Sequence, residues 1–496
     1  MTRSKIVVIG FHGGGPHYIQ PLLDAGRLPT LQRLNATGLF APADSTWPLS
    51  AACWVTFLTG LDVAQHGVLD VCENDARWFP SQSARPVDAR AYSDETMFSM
   101  ASRHGRSVAA LGVPMTAPTF PVNGVLLSSF PVANECFPPT FPPNLLESFG
   151  PVSLCSADQV NLRDLRQIRA YLDMDLDRMG ELGRTVYHSR DWDLFLLVFK
   201  VPDLVNHLLC ESPYHPNWRS LIDEYLVRTD EAIGTFLSDV DPASTVIVMS
   251  DHGSGPMPAT IFRPARWLEE QGLLTRRHQG MLGHRGLATL HRAYRALRAA
   301  ALPRAIRRHL PDVIVDRVRS VGHQWPFVDM ARTRVYPVEL FFPLAGFEIN
   351  LAGRQPHGIV TPDAFERERD DLMGRLRALM FPGSTRPLFR RIQTREELFS
   401  GPFEQRLPDV VAELEHDTEA DLHFAPELFA PNTGKASMPY RGYHMYESVF
   451  VMAGPGIPAR RASEHAHLRD FVPTILRLLD VPVPADRHGR FLPDLR

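Results

Sequence analysis

Lysine is almost missing from these 496 residues. Only Lys5, Lys200 and Lys435 occur, so arginine carries the positive charge. A formal net charge of −4 removes any general electrostatic attraction to nucleic acid. Cysteine is scarce too. The five residues Cys53, Cys72, Cys136, Cys155 and Cys210 are odd in number and form no CxxC pair. That argues against a disulfide framework or a structural zinc cluster. No apolar run approaches the roughly 18 residues a membrane-spanning helix needs. A charged-then-apolar leader is also absent, because a strand pattern begins almost at once. The expectation is a cytoplasmic protein that binds neither a membrane nor a nucleic-acid polymer.

What is present is ordinary soluble material, 44% hydrophobic and 22% charged. The chain is too long for one small core. Four apolar runs read as buried parallel strands: KIVVIG (5–10), DLFLLVF (193–199), TVIVMS (245–250) and SVFVMAG (448–454). Helical patterns lie between them, among them 18–38 and 221–240. This alternation predicts a three-layer α/β/α sandwich around a central, mostly parallel sheet. From 263 to 345 the chain turns arginine-rich, as in HRAYRALRAAALPRAIRRHL. That stretch reads as a mainly helical inserted lobe between core segments 1–262 and 346–496. Its arginines, including Arg285, Arg292 and Arg295, suit a solvated helical face or, alternatively, the anionic groups of a substrate.

The residues just after the strands carry the chemistry. His12 follows the first run, Asp203 and His207 follow the second in KVPDLVNH, and Asp251 and His252 follow the third in DHG. Open α/β sheets place ligands beyond the carboxyl ends of their strands. Histidine and aspartate converging there form a candidate site for divalent metals. The opening loop GFHGGGP fits neither GxGxxG nor GxxxxGKS/T, and Pro16 stands where a phosphate-binding helix should offer an N–H. Its glycines instead let the backbone pass close to a metal and its ligand. Ser50 directly precedes AACWVTFLTG, which can begin a helix. Serine is a favoured N-cap. The same position would place a hydroxyl in the positive end of a helix dipole, where an attacking alkoxide is favoured. Spacing leaves both readings open.

Longer blocks carry a resemblance. VVIGFHGGGPHYIQPLLDAGRLPTLQRLNATG, STWPLSAACWVTFLTGLDVAQHGVLD, SDHGSGPM, EINLAGRQPHGIV, GYHMYESVFVMAGPGI and LRDFVPTILRLLDVPVPADRHGR occur in that order. Together they resemble the alkaline phosphatase superfamily, in its type I phosphodiesterase/nucleotide pyrophosphatase branch. The resemblance implies two divalent ions, zinc ahead of manganese or another transition metal. One would be held by Asp203, His207 and His444, the other by Asp251, His252, the Ser50 oxygen and His12. In that family aspartate normally stands where this chain has His12. The resemblance further implies a metal-dependent hydrolase of a small-molecule phosphodiester, phosphomonoester or phosphonate-like ester, with Ser50 forming a phosphoryl-enzyme. Paired cations suit this chemistry by stabilising both the attacking and the leaving oxygens of an in-line displacement. SAACW lacks the CxPxR context of the sulfatase branch. The alternative, favoured by His12, is a catalytically impaired relative that binds a ligand or partner through the same cleft.

Overall fold

The computed structural model describes residues 4–45, 47–71, 86–129, 139–149, 160–277, 328–338, 340, 342–415, 417–422, 425–432 and 442–496. The first seven strands are β1 (Ile6–Phe11), β2 (Leu39–Asp44), β3 (Val108–Val113), β4 (Gly124–Ser128), β5 (Thr140–Phe141), β6 (Leu194–Phe199) and β7 (Thr245–Met249). Next come β8 (Gly253–Pro256), β9 (Thr260–Phe262), β10 (Val335–Val338), β11 (Leu344–Ile349), β12 (Phe389–Thr394), β13 (Val410–Leu414), β14 (Thr418–Ala420) and β15 (Phe429–Pro431). The chain closes with β16 (Gly442–Met445), β17 (Glu447–Ala453), β18 (Arg460–Arg461) and β19 (Ala466–His467).

Ten strands form one sheet in the order β18-β2-β17-β7-β1-β6-β3-β4-β5, with β19 also pairing β2. Strands β7, β1, β6, β3 and β4 run parallel to one another. The expected mostly parallel sheet is therefore present, with one correction. The run at 448–454, read as a parallel strand, is β17 and lies antiparallel to both β2 and β7. The reason is where the chain enters it. The preceding strand β16 pairs with β8, just past the end of β7, so the chain is already at that edge and runs back.

Alternate residues of each parallel strand feed opposite layers, as a period of two requires. Ile6 and Val8 join Leu194, Leu196 and Val198 on one face, with Trp54, Phe57, Phe98 and Phe471 from the helices covering it. Val7, Ile9 and Phe11 join Phe195, Leu197 and Phe199 on the other, beneath helices Leu165–Ser189 and Trp218–Leu237. Burial on both faces explains why these strands read as unbroken apolar runs. The helical pattern at 18–38 divides into Pro16–Asp24 and Pro29–Thr37. Gly26 sits between them at φ 68°, and Pro29 opens the second helix with a ring preorganised for that position.

A second sheet, β10-β11-β13-β12, is antiparallel and packs with helix Phe365–Arg377 around its own apolar core. Strand β10 lies within the expected insertion, and β11 runs across its expected end at 345. Helix Pro264–Glu270 begins that region. The quoted arginine-rich stretch, with Arg285, Arg292 and Arg295, lies outside the described residues. Among the described residues no helix is long and apolar enough to cross a membrane.

The glycine-rich loop after β1 is held tightly. Gly13 has φ 76°, and a Cβ there would stand 2.8 Å from the Asp203 Cβ and 2.9 Å from its Cα. Gly26, at φ 68°, would meet nothing within 4 Å. Gly26→Ala should therefore lose only left-handed strain, about 1–2 kcal/mol. Gly13→Ala adds an unrelieved contact and should lose about 1–3 kcal/mol more. Urea unfolding of both variants measures the difference, and equal midpoints would mean the loop does not press on Asp203.

Candidate metal centre

The register of the central strands sets three strand ends level. Gly10 lies opposite both Val198 of β6 and Met249 of β7. His12, Asp203 and the Asp251–His252 pair follow these ends within a few residues. Asp203 occupies the first turn of helix Val201–Leu209, and His207 lies one turn on, along the same side. His444 comes from β16, opposite Ser254 of β8.

Ser50 is the first residue of helix Ser50–Thr59. Leu49 is the N-cap, and no side chain caps the helix. The capping reading of Ser50 is thus set aside. Its Oγ lies 2.8 Å from His252 Nε2 and 3.4 Å from His12 Nε2. All seven residues singled out in the sequence, from His12 to His444, meet in one largely buried cluster.

Three of the imidazoles are oriented by main-chain carbonyls. His207 Nδ1 lies 3.0 Å from the Gly442 oxygen, His252 Nδ1 2.9 Å from the Gly253 oxygen, and His444 Nδ1 3.1 Å from the Pro48 oxygen. A carbonyl only accepts, so each Nδ1 donates, and in a neutral ring Nε2 then bears a lone pair. These lone pairs face one another. His207 Nε2 and His444 Nε2 are 3.0 Å apart, and the His252 and His444 rings stack with centroids at 3.7 Å.

The two carboxylates deepen the mismatch. Asp203 Oδ1 lies 3.3 Å from His207 Nε2 and 3.5 Å from His444 Nε2. Asp251 Oδ2 lies 3.3 Å from His12 Nε2 and 3.2 Å from His252 Nε2. Among the described residues these two oxygens have no hydrogen-bond donor in good geometry, while the other Asp251 oxygen, Oδ1, accepts from the Gly13 N–H at 3.3 Å. Burial lowers His207, but the charge of Asp203 outweighs it and raises the ring above its ordinary value. Burial holds the His12 imidazole down to about 4 and pushes His252 well below its ordinary range. Burial, then the charge of Asp203, drives Asp251 well above the carboxylate range. At Asp203 burial works upward too, but the His207 and His12 rings outweigh it and hold the group well below.

Buried carboxylate oxygens without donors, set among inward-facing imidazole nitrogens, ask for positive charge. Among the described residues two groups could hold a metal ion: His12, Asp203 and His252, and Asp203, His207 and His444, each with ligand atoms within 4.8 Å of one another. Mixed imidazole and carboxylate donors suit zinc and its neighbours better than magnesium.

The profile of the type I phosphodiesterase/nucleotide pyrophosphatase family matches residues 6–428. The chain belongs to this family. No curated protein matches it in sequence. Among solved structures it is similar to an inactive variant of murine ectonucleotide pyrophosphatase/phosphodiesterase 5 in complex with AMP, with a TM-score of 0.52, 14% identity and 99% of each chain covered. The human counterpart gives 0.51, 13% and again 99% of each chain. Phosphonoacetate hydrolase from Sinorhizobium meliloti, in complex with phosphonoformate, gives 0.50 and 14%, over 97% of this chain and 96% of that one. At such identities the likeness is one of fold.

This member of the phosphodiesterase family also uses residues that the sequence reading passed over. Ser250 Oγ accepts from Gly14 N–H at 2.7 Å and donates to the His252 carbonyl at 2.7 Å, tying the first loop to the third. A polar residue placed between an apolar run and DHG was the available signal. Trp54 sets its ring edge-on to His12 at 5.7 Å. The Pro48 and Gly442 carbonyls left no trace in the sequence, since every residue has one. Long-range proton–nitrogen NMR on histidine-labelled, metal-free protein at alkaline pH should show the Nδ1–H tautomer for His207, His252 and His444. Nε2–H signals from any of the three would remove the case for lone pairs converging on the cleft.

Proposed function

We propose that this chain is a metal-dependent hydrolase of small phosphate or phosphonate esters, with Ser50 as nucleophile. The observation that carries the reading is the gathering of three carbonyl-anchored imidazoles and two buried carboxylates, each carboxylate with one oxygen that no donor reaches among the described residues. They stand around the loop ends that also bring His252 and His12 to the Ser50 hydroxyl. Asp203, His207 and His444 would hold one divalent ion, and Asp251, His252, His12 and the Ser50 oxygen the other. When bound, such ions supply positive charge that favours the Ser50 alkoxide and the charge developing on phosphoryl oxygens.

The chain's own residues do the rest. Helix Ser50–Thr59 points its positive end at the Oγ, which steadies the anion that attacks phosphorus. Oγ forms the new bond to phosphorus as the ester oxygen leaves, and water later returns the serine. Buried Trp54 and His12 keep that side of the nucleophile dry. The AMP of the murine relative and the phosphonoformate of the bacterial one both present an anionic phosphorus group, which agrees with this substrate class.

Ser50→Ala should lower turnover of nitrophenyl phosphate mono- and diesters by about 10³-fold or more while two ions stay bound. Failure of the wild-type chain on every ester tested, with its ions in place, would favour the ligand-binding reading. The ligand set makes a second forecast. His12→Ala should lower second-ion occupancy in elemental analysis, and His12→Asp should keep both ions and admit magnesium, because it restores a hard negative donor. Two tightly held ions and full activity in His12→Ala would mean that His12 is no ligand.

A further inference from the structure

Asp203 stands between the two groups of donors, and both of them include it. Its two oxygens face different partners. Oδ1 lies 3.3 Å from His207 Nε2 and 3.5 Å from His444 Nε2. Oδ2 lies 3.8 Å from His12 Nε2. The loop of His12 can come this close because Gly13, pressed against the Asp203 Cβ, has no side chain of its own.

Charge gives the arrangement a purpose. A site built from His12, Asp251, His252 and a serine oxygen has one carboxylate of its own, because the donor at position 12 is an imidazole. A divalent ion there would be short of negative charge by one unit relative to a site with two carboxylates, and ligand charge strongly tunes affinity for such ions. Among the described residues, a second carboxylate besides Asp251 comes within 4 Å of His12, the Oδ2 of Asp203 at 3.8 Å. Asp203 is buried and anchored on a helix, so its second oxygen is already aimed and needs no rearrangement.

We propose that Asp203 serves both cation sites, one oxygen to each, and so returns to the second site the negative charge that His12 withholds. The two sites are then joined through one carboxylate. This inference rests on the two-ion reading above and predicts something which that reading does not. A terminal ligand matters to one site, and a shared one matters to both.

The test compares His207→Ala with Asp203→Ala in the full-length chain, using zinc titration against a chromophoric chelator. Both variants should lose one ion. The surviving site should stay within about threefold of its wild-type affinity in His207→Ala but weaken at least about tenfold in Asp203→Ala. Loading both sites with manganese supplies a readout that simple loss of charge would not move. The wild type should give an exchange-coupled paramagnetic resonance spectrum. Asp203→Ala, forced to full loading by excess manganese, should give an uncoupled one. Circular dichroism and urea midpoints confirm that the variants fold. If the wild type binds no ion, the two-ion reading itself fails. If it binds two and the variants weaken the surviving site alike, or the coupling survives in Asp203→Ala, each ion has its own ligands and the shared carboxylate is wrong.

Discussion

Strand β1 lies between β6 and β7, parallel to both and in a register that pairs Gly10 with Val198 on one side and Met249 on the other. Were β1 shifted by one residue, its alternation would swap Val8 and Ile9 between the two apolar layers, and the burial of both faces forbids it. The register is therefore enforced by the core and not by the cleft. With the strand ends locked level, His12, Asp203 and Asp251 have little choice about where they stand. Packing far from the chemistry thus sets the distances within it.

Fine orientation falls to the main chain. Carbonyls of Pro48, Gly253 and Gly442 each take the Nδ1 proton of a histidine, so the rings present their other nitrogens inward. A carbonyl cannot be substituted away, and its position follows from the path of the strand or turn that carries it. Gly442 shows how closely that path is drawn. A Cβ at that residue would stand 2.3 Å from the Asn206 amide nitrogen, so the strand can only pass His207 at this distance without a side chain. The geometry of the cleft is in this sense a property of the backbone.

Much of this was legible in the chain itself. Apolar runs at 5–10, 193–199 and 245–250 announced strands buried on both faces, and the polar residues after them marked the edge that matters. The blocks around Ser50 and His444 carried the family likeness. Direction was not legible in 448–454. An apolar run reads the same for a parallel and an antiparallel strand, and what reverses β17 is the pairing of β16 with β8, a contact between residues almost 200 apart in sequence. The break inside 18–38 needed the weight of Gly26 and Pro29 against an otherwise continuous helical period. Ser50 was undecidable locally, because cap and first helical residue differ by a single position and Leu49 took the cap. Strand β10 hid behind its own Pro337, a residue that argues against a strand unless the strand lies at an edge, and β10 does end its sheet.

The position of β2 carries one more consequence, for the order of synthesis. Among the described residues its neighbours in the sheet are β17, β18 and β19, all from residue 447 onward. The strand that leads into the Ser50 helix therefore has, among the described residues, nothing to pair with until residues 447 onward have left the ribosome. His444 emerges just as late. A nascent chain can assemble β1, β3, β4, β6 and β7 while the segment around Ser50 still lacks a sheet to lean on. Ser50 and the histidines around it come together only once these late strands are in place.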